Sequence, residues 1–224
     1  MSFQWEAKFF CALLPAARPP RRVLVVGCGD GTEAAHIASE TGATVVGLDL
    51  DVDASRRRPG VHLLRADARR LPFRDATFDA LYCYHVLEHV PSPERAVAEA
   101  RRALGAGSVA FFGTPNRLRM VGYVGGRATT LEKLQWNLAD WGKRLTGRWS
   151  NAQGAHAGFS GGELSRMLAT PFGSVSDVSV PYYCAKYPRL QPFWRWAFRF
   201  GVGRFLAPSV YFLADDSATR SVSG

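Results

Sequence analysis

Three glycines at alternate positions, placed directly after a short apolar run, constrain the fold of this chain more than any other feature. The run is Val-Leu-Val-Val at residues 23–26, and Gly27, Gly29 and Gly31 follow it. Its length and its β-branched side chains predict a buried parallel strand. The glycines predict a tight turn that lets backbone N–H groups approach a ligand closely. A helix is predicted to begin at Thr32, so the sequence indicates a strand–turn–helix unit beside a ligand site.

The residue that ends the second predicted strand is a carboxylate, which restricts the kind of ligand. Asp49 follows the apolar stretch 44–48 and lies about 20 residues beyond the glycines, where nucleotide-binding α/β folds place an acid on the ribose hydroxyls. A dinucleotide-binding turn has a third glycine that makes room for a pyrophosphate, and Thr32 occupies that position here. The pattern therefore predicts a nucleoside cofactor without a phosphate and disfavours an NAD-linked oxidoreductase.

The strand and turn resemble the first motif of the class I S-adenosylmethionine-dependent methyltransferases. Residues 63–73 and 78–90 are similar to the third and fourth motifs of that family, especially in its type 11 subgroup, which includes ubiquinone-biosynthesis O-methyltransferases. The resemblance is dense over residues 21–117 and loose over residues 154–180. It implies S-adenosyl-L-methionine as the cofactor and methyl transfer as the reaction.

The resemblance also implies which residues bind the cofactor: Gly27, Cys28, Gly29, Gly31, Asp49, Leu50, Asp67, Ala68 and Tyr84. Asp67 follows a short predicted strand, and its carboxylate can accept a hydrogen bond from the exocyclic amine of an adenine. Leu50 and Ala68 would flank the two faces of that adenine. We expect these residues at the carboxyl ends of the strands, where open α/β sheets bind ligands.

The candidate catalytic residues are histidines. Methyl transfer from a sulfonium is an in-line displacement, so the protein aligns donor and acceptor and, for some acceptors, removes a proton. His85, at the end of the fourth predicted strand, and His156 are the candidate bases, and a place on the pocket wall without proton transfer is the alternative for His85. Asn116 is the candidate for binding the acceptor. Cysteines and histidines lack metal-ligand spacing, so no metal site is expected.

One departure from the family pattern leaves a second function open. The family usually has an acidic residue two positions before the first glycine of the turn, and this chain has Val25 there. One polar anchor of the cofactor site is therefore missing or supplied from elsewhere. This substitution favours, as the alternative function, a non-methylating member of the fold: a cyclase or a degenerate partner-binding protein.

Strand and helix patterns alternate through the first half of the chain, which implies a doubly wound, mainly parallel sheet. The resemblance implies an α/β, Rossmann-like sheet of seven strands with a helical insertion after the fifth strand. The predicted elements are residues 23–26, Thr32–Thr41, 44–48, Val61–Arg65, 80–84, 94–104, 108–113 and 172–180. The predicted divisions are an N-terminal helix at 1–20, a cofactor-binding core at 21–116, a helical lid at 117–157, the end of the core with an aromatic, basic tail at 158–214, and a disordered tail at 215–224.

Two segments of the second half have amphipathic patterns. Leu131, Leu134 and Leu138 recur at spacings of three and four, which predicts a helix that is a lid, an added core helix or a membrane-touching helix. At residues 193–200 aromatic side chains alternate with arginines, a pattern typical of an interfacial helix on a membrane or a lipid substrate. Core packing and a dimer contact are the alternatives for that segment.

Charge and motif content narrow the acceptor. The net charge is +9, and only four of the 28 basic residues are lysine, which fits either an anionic partner or a solvated, arginine-rich surface. Residues 84–87 lack the Asn/Asp-Pro-Pro-aromatic motif of many amino-group methylases, and no RNA-binding module accompanies the core, so no nucleic-acid partner is expected. We predict methyl transfer to an oxygen of a small-molecule or lipid-like acceptor. The expected location is cytoplasmic, with peripheral membrane contact, and the sequence leaves the oligomeric state open.

Overall fold

Five parallel strands place the glycine turn at the middle of a sheet. The computed structural model describes residues 5–120, 129–148 and 158–216. The five strands lie side by side in the order β3-β2-β1-β4-β5. They are β1 (Arg22–Val26), β2 (Thr44–Asp49), β3 (Val61–Arg65), β4 (Phe78–Tyr84) and β5 (Leu104–Pro115). Val23, Leu24 and Val25 are fully buried, because helices cover both faces of a parallel sheet and its central strands are apolar throughout.

Two further strands complete a seven-stranded sheet. Strand β7 (Ser209–Asp215) pairs antiparallel with β5 on one side and with β6 (Ser174–Asp177) on the other, so the order is β3-β2-β1-β4-β5-β7-β6. The predicted doubly wound, mainly parallel, seven-stranded sheet is confirmed. The strand predicted at 172–180 is wrong in extent, because the chain turns into a helix at Ser179, whose N–H donates to Asp177 Oδ1 at 2.8 Å.

Eight helices are described, and those packed on the sheet lie on its two faces. Their bounds are α1 (Trp5–Leu13), α2 (Thr32–Thr41), α3 (Pro93–Ala103), α4 (Thr130–Leu145), α5 (Gly161–Ala169), α6 (Ser179–Lys186), α7 (Gln191–Arg199) and α8 (Gly203–Leu206). Helices α1, α2 and α6 share one apolar core with the sheet, and α3 and α5 share the other. Helix α5 begins with a capping box, in which the Glu163 N–H donates to Ser160 Oγ and the Ser160 N–H donates to Glu163 Oε2.

A buried polar contact joins α1 to α6. The Tyr182 hydroxyl donates to Glu6 Oε1, and Lys186 Nζ donates to the same oxygen at 2.9 Å. Glu6 is only 3% exposed, so its charge is compensated inside the protein rather than by water. Within the N-terminal segment predicted as a helix at 1–20, α1 covers Trp5–Leu13, and residues 1–4 lie outside the described part of the chain.

The aromatic, basic segment predicted as a tail is a helical connection between β6 and β7. It spans residues 178–208 and contains α6, α7 and α8. Strand β6 is parallel to β5, and β7 is antiparallel to both, so this connection leaves and re-enters the sheet at the edge where the parallel strands end. The predicted disordered tail starts too early, because Asp215 belongs to β7 and Asp216 accepts a hydrogen bond from Arg101. Residues 217–224 lie outside the described part.

Helix α4 follows β5, inside the segment predicted as a lid. The Trp141 Nε1–H donates to the Met120 carbonyl at 3.1 Å, while Leu131, Leu134 and Leu138 are 56–65% exposed. The lid role stays a prediction. Among the described helices, none is both long enough and apolar enough to cross a membrane.

Candidate functional site

The glycine turn between β1 and α2 adopts a conformation that requires glycine. Gly27, Gly29 and Gly31 have φ values of +73°, +51° and +81°, in the left-handed region that L side chains rarely adopt. A Cβ on Gly27 would lie 2.1 Å from Val86 Cγ2, so a close approach of the chain after β4 also excludes a side chain there. The Gly27 N–H donates to the Leu48 carbonyl at 2.8 Å, which ties the turn to the end of β2.

Asp49 ends β2 and is held by backbone N–H groups. The Gly29 N–H donates to Asp49 Oδ2 at 3.0 Å, and the Asp51 N–H donates to Asp49 Oδ1 at 3.1 Å. A carboxylate has about four lone-pair sites, so two remain for hydroxyl donors. The turn therefore fixes the orientation of the one side chain that the sequence predicts for a ribose.

Asp67 is engaged by a neighbouring arginine that the sequence analysis did not place in the site. Arg69 forms a bidentate pair with it, with Nη2–Oδ2 at 2.6 Å and Nε–Oδ1 at 3.1 Å, and the Arg69 N–H donates to Oδ1 at 2.8 Å. Hydrogen bonds from Arg69 hold the pKa of Asp67 below its usual value. Three donors of Arg69 thus already engage the carboxylate expected to accept the adenine amine, which leaves about one of its four lone-pair sites.

A cavity of about 210 Å³ lies at the carboxyl ends of β1 to β4. Of the predicted cofactor residues, Gly27, Asp49, Leu50, Asp67 and Ala68 lie on its wall, together with the predicted base His85. Residues on the wall that the sequence analysis missed are Val26, Leu48, Ala66, Arg69, Val86, His89, Val90 and Pro91. The wall combines carboxylates with apolar side chains. This combination suits a nucleoside, because its sugar is polar and its flat base is apolar on both faces.

Four predicted cofactor residues lie off this wall in the described part of the chain. Cys28 is buried, burial raises the pKa of its thiol to about 12, and its N–H is used by the Leu48 carbonyl. Gly29 and Gly31 belong to the turn but do not line the cavity. The Tyr84 ring lies on the opposite face of the sheet and stacks on Tyr211 at a centroid distance of 6.2 Å, because alternate residues of a strand point to opposite faces.

His85 has a strained backbone at the end of β4. Its φ is +54°, one of two positive values among non-glycine residues in the described chain. The His85 N–H donates to the Gly113 carbonyl at 2.9 Å, and the side chain is 41% exposed beside the cavity. Strain of this kind clusters at functional sites because the surrounding structure must hold it. His156, the second candidate base, lies outside the described residues.

Glu88 is a buried carboxylate that accepts no hydrogen bond from the described residues. Its side chain is 1% exposed, and neither oxygen has a hydrogen-bond partner among the described residues. His85 Nδ1 and His89 Nε2 each lie 3.8 Å from Glu88 Oε1. Burial raises the pKa of Glu88 to about 7, so it takes up and releases a proton near neutral pH. Sequence alone gives no signal for this carboxylate, because its character depends on burial.

Asn116, the residue predicted to bind the acceptor, is buried and hydrogen-bonded within the protein. It is 1% exposed, and its Nδ2 donates to the carbonyls of Arg204 and Ala207 at 2.7 and 2.8 Å. Its Oδ1 accepts from the Leu118 N–H at 3.0 Å. Every polar group of the side chain is therefore used to hold the 178–208 connection against the end of β5.

Two other clefts are larger than this cavity. One, of about 720 Å³, lies beside Arg21 and Asp79 near the start of β1 and β4, away from the glycine turn. The other, of about 780 Å³, adjoins the cofactor cavity at His89, Val90 and Pro91. We assign the site to the smaller cavity, since ligands of open α/β sheets bind at the carboxyl ends of the strands and the glycine turn lies there.

Val25 stands where the family pattern has an acidic residue, and it supplies no polar anchor for the cofactor. Val25 is fully buried in the core shared with α1 and α2. A carboxylate on α2 lies in the same layer: Glu33 Oε1 accepts from the Tyr82 hydroxyl at 3.2 Å, and burial raises the pKa of Glu33 to about 7. Among the described residues, no cluster of three or more His, Cys, Asp or Glu side chains has the geometry to hold a metal ion.

Residues 24–112 match a protein family described as a methyltransferase domain. A probable S-adenosylmethionine-dependent methyltransferase of Mycolicibacterium smegmatis is 30% identical over 175 residues, which cover 75% of this chain and 66% of that protein. A ubiquinone biosynthesis O-methyltransferase of Paracidovorax citrulli is 38% identical over 108 residues, which cover 43% of this chain and 44% of that protein.

A solved structure, the [4+2]-cyclase SpnF, is similar over 94% of this chain and 78% of its own, with a TM-score of 0.56 and 19% sequence identity. At that identity the likeness concerns the fold alone. The chain spans about a third to two thirds of the length of the first curated relatives that it matches.

Proposed function

The chain belongs to the class I S-adenosylmethionine-dependent methyltransferase family, and on that premise we propose that it transfers a methyl group from S-adenosyl-L-methionine to a small-molecule or lipid-like acceptor. The observation that carries this proposal is the hydrogen bond from the glycine turn to Asp49 at the wall of the cavity. It fixes a ribose-binding carboxylate next to a turn too tight for side chains, and the cavity beyond it offers a slot for a flat base.

Different residues of the cavity bind different parts of the cofactor. Asp49 accepts hydrogen bonds from the ribose hydroxyls, and Leu50 and Ala68 lie against the adenine. Gly27 has no side chain and so permits close approach of the backbone to the cofactor. The bound cofactor supplies a sulfonium methyl group for an in-line displacement. Alignment of the acceptor with that methyl group is the main task of the protein, since the displacement itself needs no covalent help.

An oxygen acceptor fits the residues near His85 best. A hydroxyl must lose its proton as the methyl group arrives, and His85 is exposed at the cavity with the Glu88 carboxylate 3.8 Å behind its Nδ1. A carboxylate in that position stabilises the imidazolium that forms when His85 accepts the proton. The O-methyltransferase name of one relative supports the same choice. For a lipid-like acceptor, we propose further that the protein acts peripherally at a membrane.

The alternative is a non-methylating member of the fold, a cyclase or a partner-binding protein. Val25 in place of an acid, and Arg69 on the carboxylate of Asp67, are the two observations that favour it. The fold likeness to a cyclase is compatible with it.

Calorimetric titration of the full chain with S-adenosylmethionine, S-adenosylhomocysteine and NAD tests the proposal. We expect binding of both sulfur compounds and none of NAD. A methyl-transfer assay with phenols and hydroxylated lipids then separates the two functions, and His85→Gln should lower the turnover number about 10²- to 10⁴-fold while it leaves affinity for S-adenosylhomocysteine nearly unchanged. Binding without transfer to any hydroxyl acceptor would favour the non-methylating alternative, and absence of binding would refute the cofactor assignment.

A further inference from the structure

Helix α7 has an apolar stripe that faces away from the protein. Phe193, Trp196 and Phe200 are 42%, 52% and 64% exposed. Their spacing of three and four places them on one side of the helix, and the rings touch in sequence, with centroid distances of 6.4 and 5.7 Å. We call these three residues the α7 aromatic strip.

The strip is additional to the face that anchors α7 to the protein. Trp194 and Ala197 are 8% and 0% exposed, and Trp194 stacks on Tyr183 of α6 at 4.4 Å. The helix therefore has core contacts apart from the strip, to which Phe193 adds an edge-on ring contact with Trp194 at a centroid distance of 5.4 Å. Contiguous exposed aromatic side chains mark an interaction site, because they are costly to leave in water without a use.

The charged residues of the segment that carries the strip all have one sign. Between Asp177 and Asp215 the sequence contains four arginines and one lysine and no acidic residue. The lysine, Lys186, pairs with Glu6. Arg195 and Arg199 are exposed on α7, next to the strip, and take no part in the ion pairs formed among the described residues. Their guanidinium groups are thus available to an anionic surface.

The position of α7 links this surface to the site. The 178–208 connection leaves and returns to the sheet at the carboxyl ends of the parallel strands, the edge that also carries the cofactor cavity. Asn116, directly after β5, holds the carbonyls of Arg204 and Ala207. A surface docked on α7 would therefore lie along the same edge of the sheet as the cavity.

We propose that α7 docks on an anionic phospholipid membrane, with the aromatic strip in the boundary between headgroups and acyl chains and with Arg195 and Arg199 on lipid phosphates. Helices that lie in that boundary combine such an apolar face with flanking basic residues. That the docked edge receives a lipid-like acceptor rests on the proposed function, whereas the docking itself does not.

Two other occupants fit the surface less well. A second copy of the chain, docked face to face, would bring its arginines against those of the first without a carboxylate between them. A single-stranded nucleic acid would need ring faces open for stacking, and successive rings of the strip are instead tilted by 31° and 47° against each other.

Vesicle flotation of the full chain tests the proposal. We expect binding to phosphatidylcholine vesicles that contain phosphatidylglycerol, and little binding to vesicles of phosphatidylcholine alone. Trp196→Ser with Phe200→Ser should abolish flotation, and Arg195→Gln with Arg199→Gln should weaken it about tenfold or more, an effect that Lys at both positions largely restores. The matched control is Leu134→Ser with Leu138→Ser, two equally exposed apolar residues on α4, which should float like the unaltered protein.

Each other outcome overturns the proposal. Flotation lost in the α4 pair and kept in the α7 pair would move the membrane contact to α4. Absence of flotation, together with a dimer that the α7 pair dissociates in size-exclusion chromatography, would assign the strip to a second copy, and oligonucleotide binding lost in the α7 pair would assign it to nucleic acid. S-adenosylhomocysteine titration of every variant shows separately that the site is folded, so failure of the cofactor assignment is distinguishable from failure of docking.

Discussion

The N–H of Gly29 donates to Asp49 Oδ2 at 3.0 Å, so the glycine turn and the carboxylate at the end of β2 form one hydrogen-bonded unit. A change at either residue therefore acts on both. Asp49→Ala removes two acceptors for the ribose and frees the Gly29 N–H, and we expect affinity for S-adenosylhomocysteine to fall about 10- to 100-fold. Calorimetry measures it. The control is Asp51→Ala, whose side chain is 95% exposed and should change the affinity about twofold at most. Equal affinities of the two variants would refute the ribose assignment.

Gly27 and Gly29 should differ in their tolerance of alanine. A Cβ on Gly27 lies 2.1 Å from Val86 Cγ2, whereas a Cβ on Gly29 has no atom within 4 Å. Gly29→Ala costs only backbone strain, about 1–2 kcal/mol, while Gly27→Ala adds a collision inside the cavity wall. We expect Gly27→Ala to lower cofactor affinity more than about tenfold beyond Gly29→Ala.

Removal of the Val86 side chain tests the cause of that difference. Val86→Ala in the Gly27→Ala background should restore part of the affinity, measured against Val86→Ala alone in a double-mutant cycle. Additive losses would show that the backbone conformation of Gly27, rather than the contact with Val86, makes glycine necessary.

Arg69 should compete with the cofactor for Asp67. Because three donors of Arg69 already engage the carboxylate, Arg69→Met frees Asp67 for an adenine amine, and affinity for S-adenosylhomocysteine should rise about three- to tenfold. Asp67→Asn should lower it. Calorimetry of both variants and of the double variant measures these affinities. A loss of affinity in Arg69→Met would show instead that the guanidinium itself contacts the cofactor.

Glu88 should make the protein less stable as pH rises. Its pKa of about 7 in the folded protein lies above the ordinary 4.5, so the folded state binds the extra proton between these values and stability falls as pH rises through them. Above the folded pKa the full cost of the buried charge is present. Glu88→Gln removes that cost, and we expect it to raise the free energy of unfolding by about 1–3 kcal/mol at about pH 8 and by little at about pH 5.

The control for that pH dependence is Glu94→Gln, at an exposed position on α3. Thermal unfolding at both pH values measures each variant. A gain for Glu88→Gln that is equal at the two values would contradict a titrating carboxylate and would indicate an effect of packing alone.

Local signals predicted most of the first half of the fold. The bounds of Thr32–Thr41 and Val61–Arg65 agree with α2 and β3, because glycines and loops interrupt clear apolar patterns there. The last part failed for a physical reason. Val178 and Val180 are typical of a strand, but the chain turns after Asp177, whose Oδ1 accepts from the Ser179 N–H, and a helix begins at Ser179. Strand β7 was missed although Pro208 and the run Val-Tyr-Phe-Leu at residues 210–213 mark its start and its apolar core.

The candidate site was likewise predicted only in part from the sequence. Gly27, Asp49 and Asp67 lie where motif spacing predicts them, at the ends of parallel strands. The pairing of Asp67 with Arg69, the burial of the Glu88 carboxylate and the hydrogen bonds of Asn116 depend on what packs around each side chain. The contacts of Asn116 join segments distant in sequence, and the burial of Glu88 depends on the whole fold. Asp67 and Arg69 are only two residues apart, but spacing alone does not show that their side chains pair. The roles of His85 and of the residues that would contact the cofactor stay predictions.

The contact between Glu6 and Tyr182 joins residues 176 positions apart in sequence. Strands β4 and β5 carry Tyr82 and Phe111 in the core shared with α1 and α6, and both strands leave the ribosome long before α6 does. Until then Phe10, Tyr82 and Phe111 have no complete cover, and Glu6 lacks the lysine and hydroxyl that compensate it. Contacts of such long range form late in folding. This aromatic face is therefore the surface that a partly synthesised chain offers to chaperones and to aggregation.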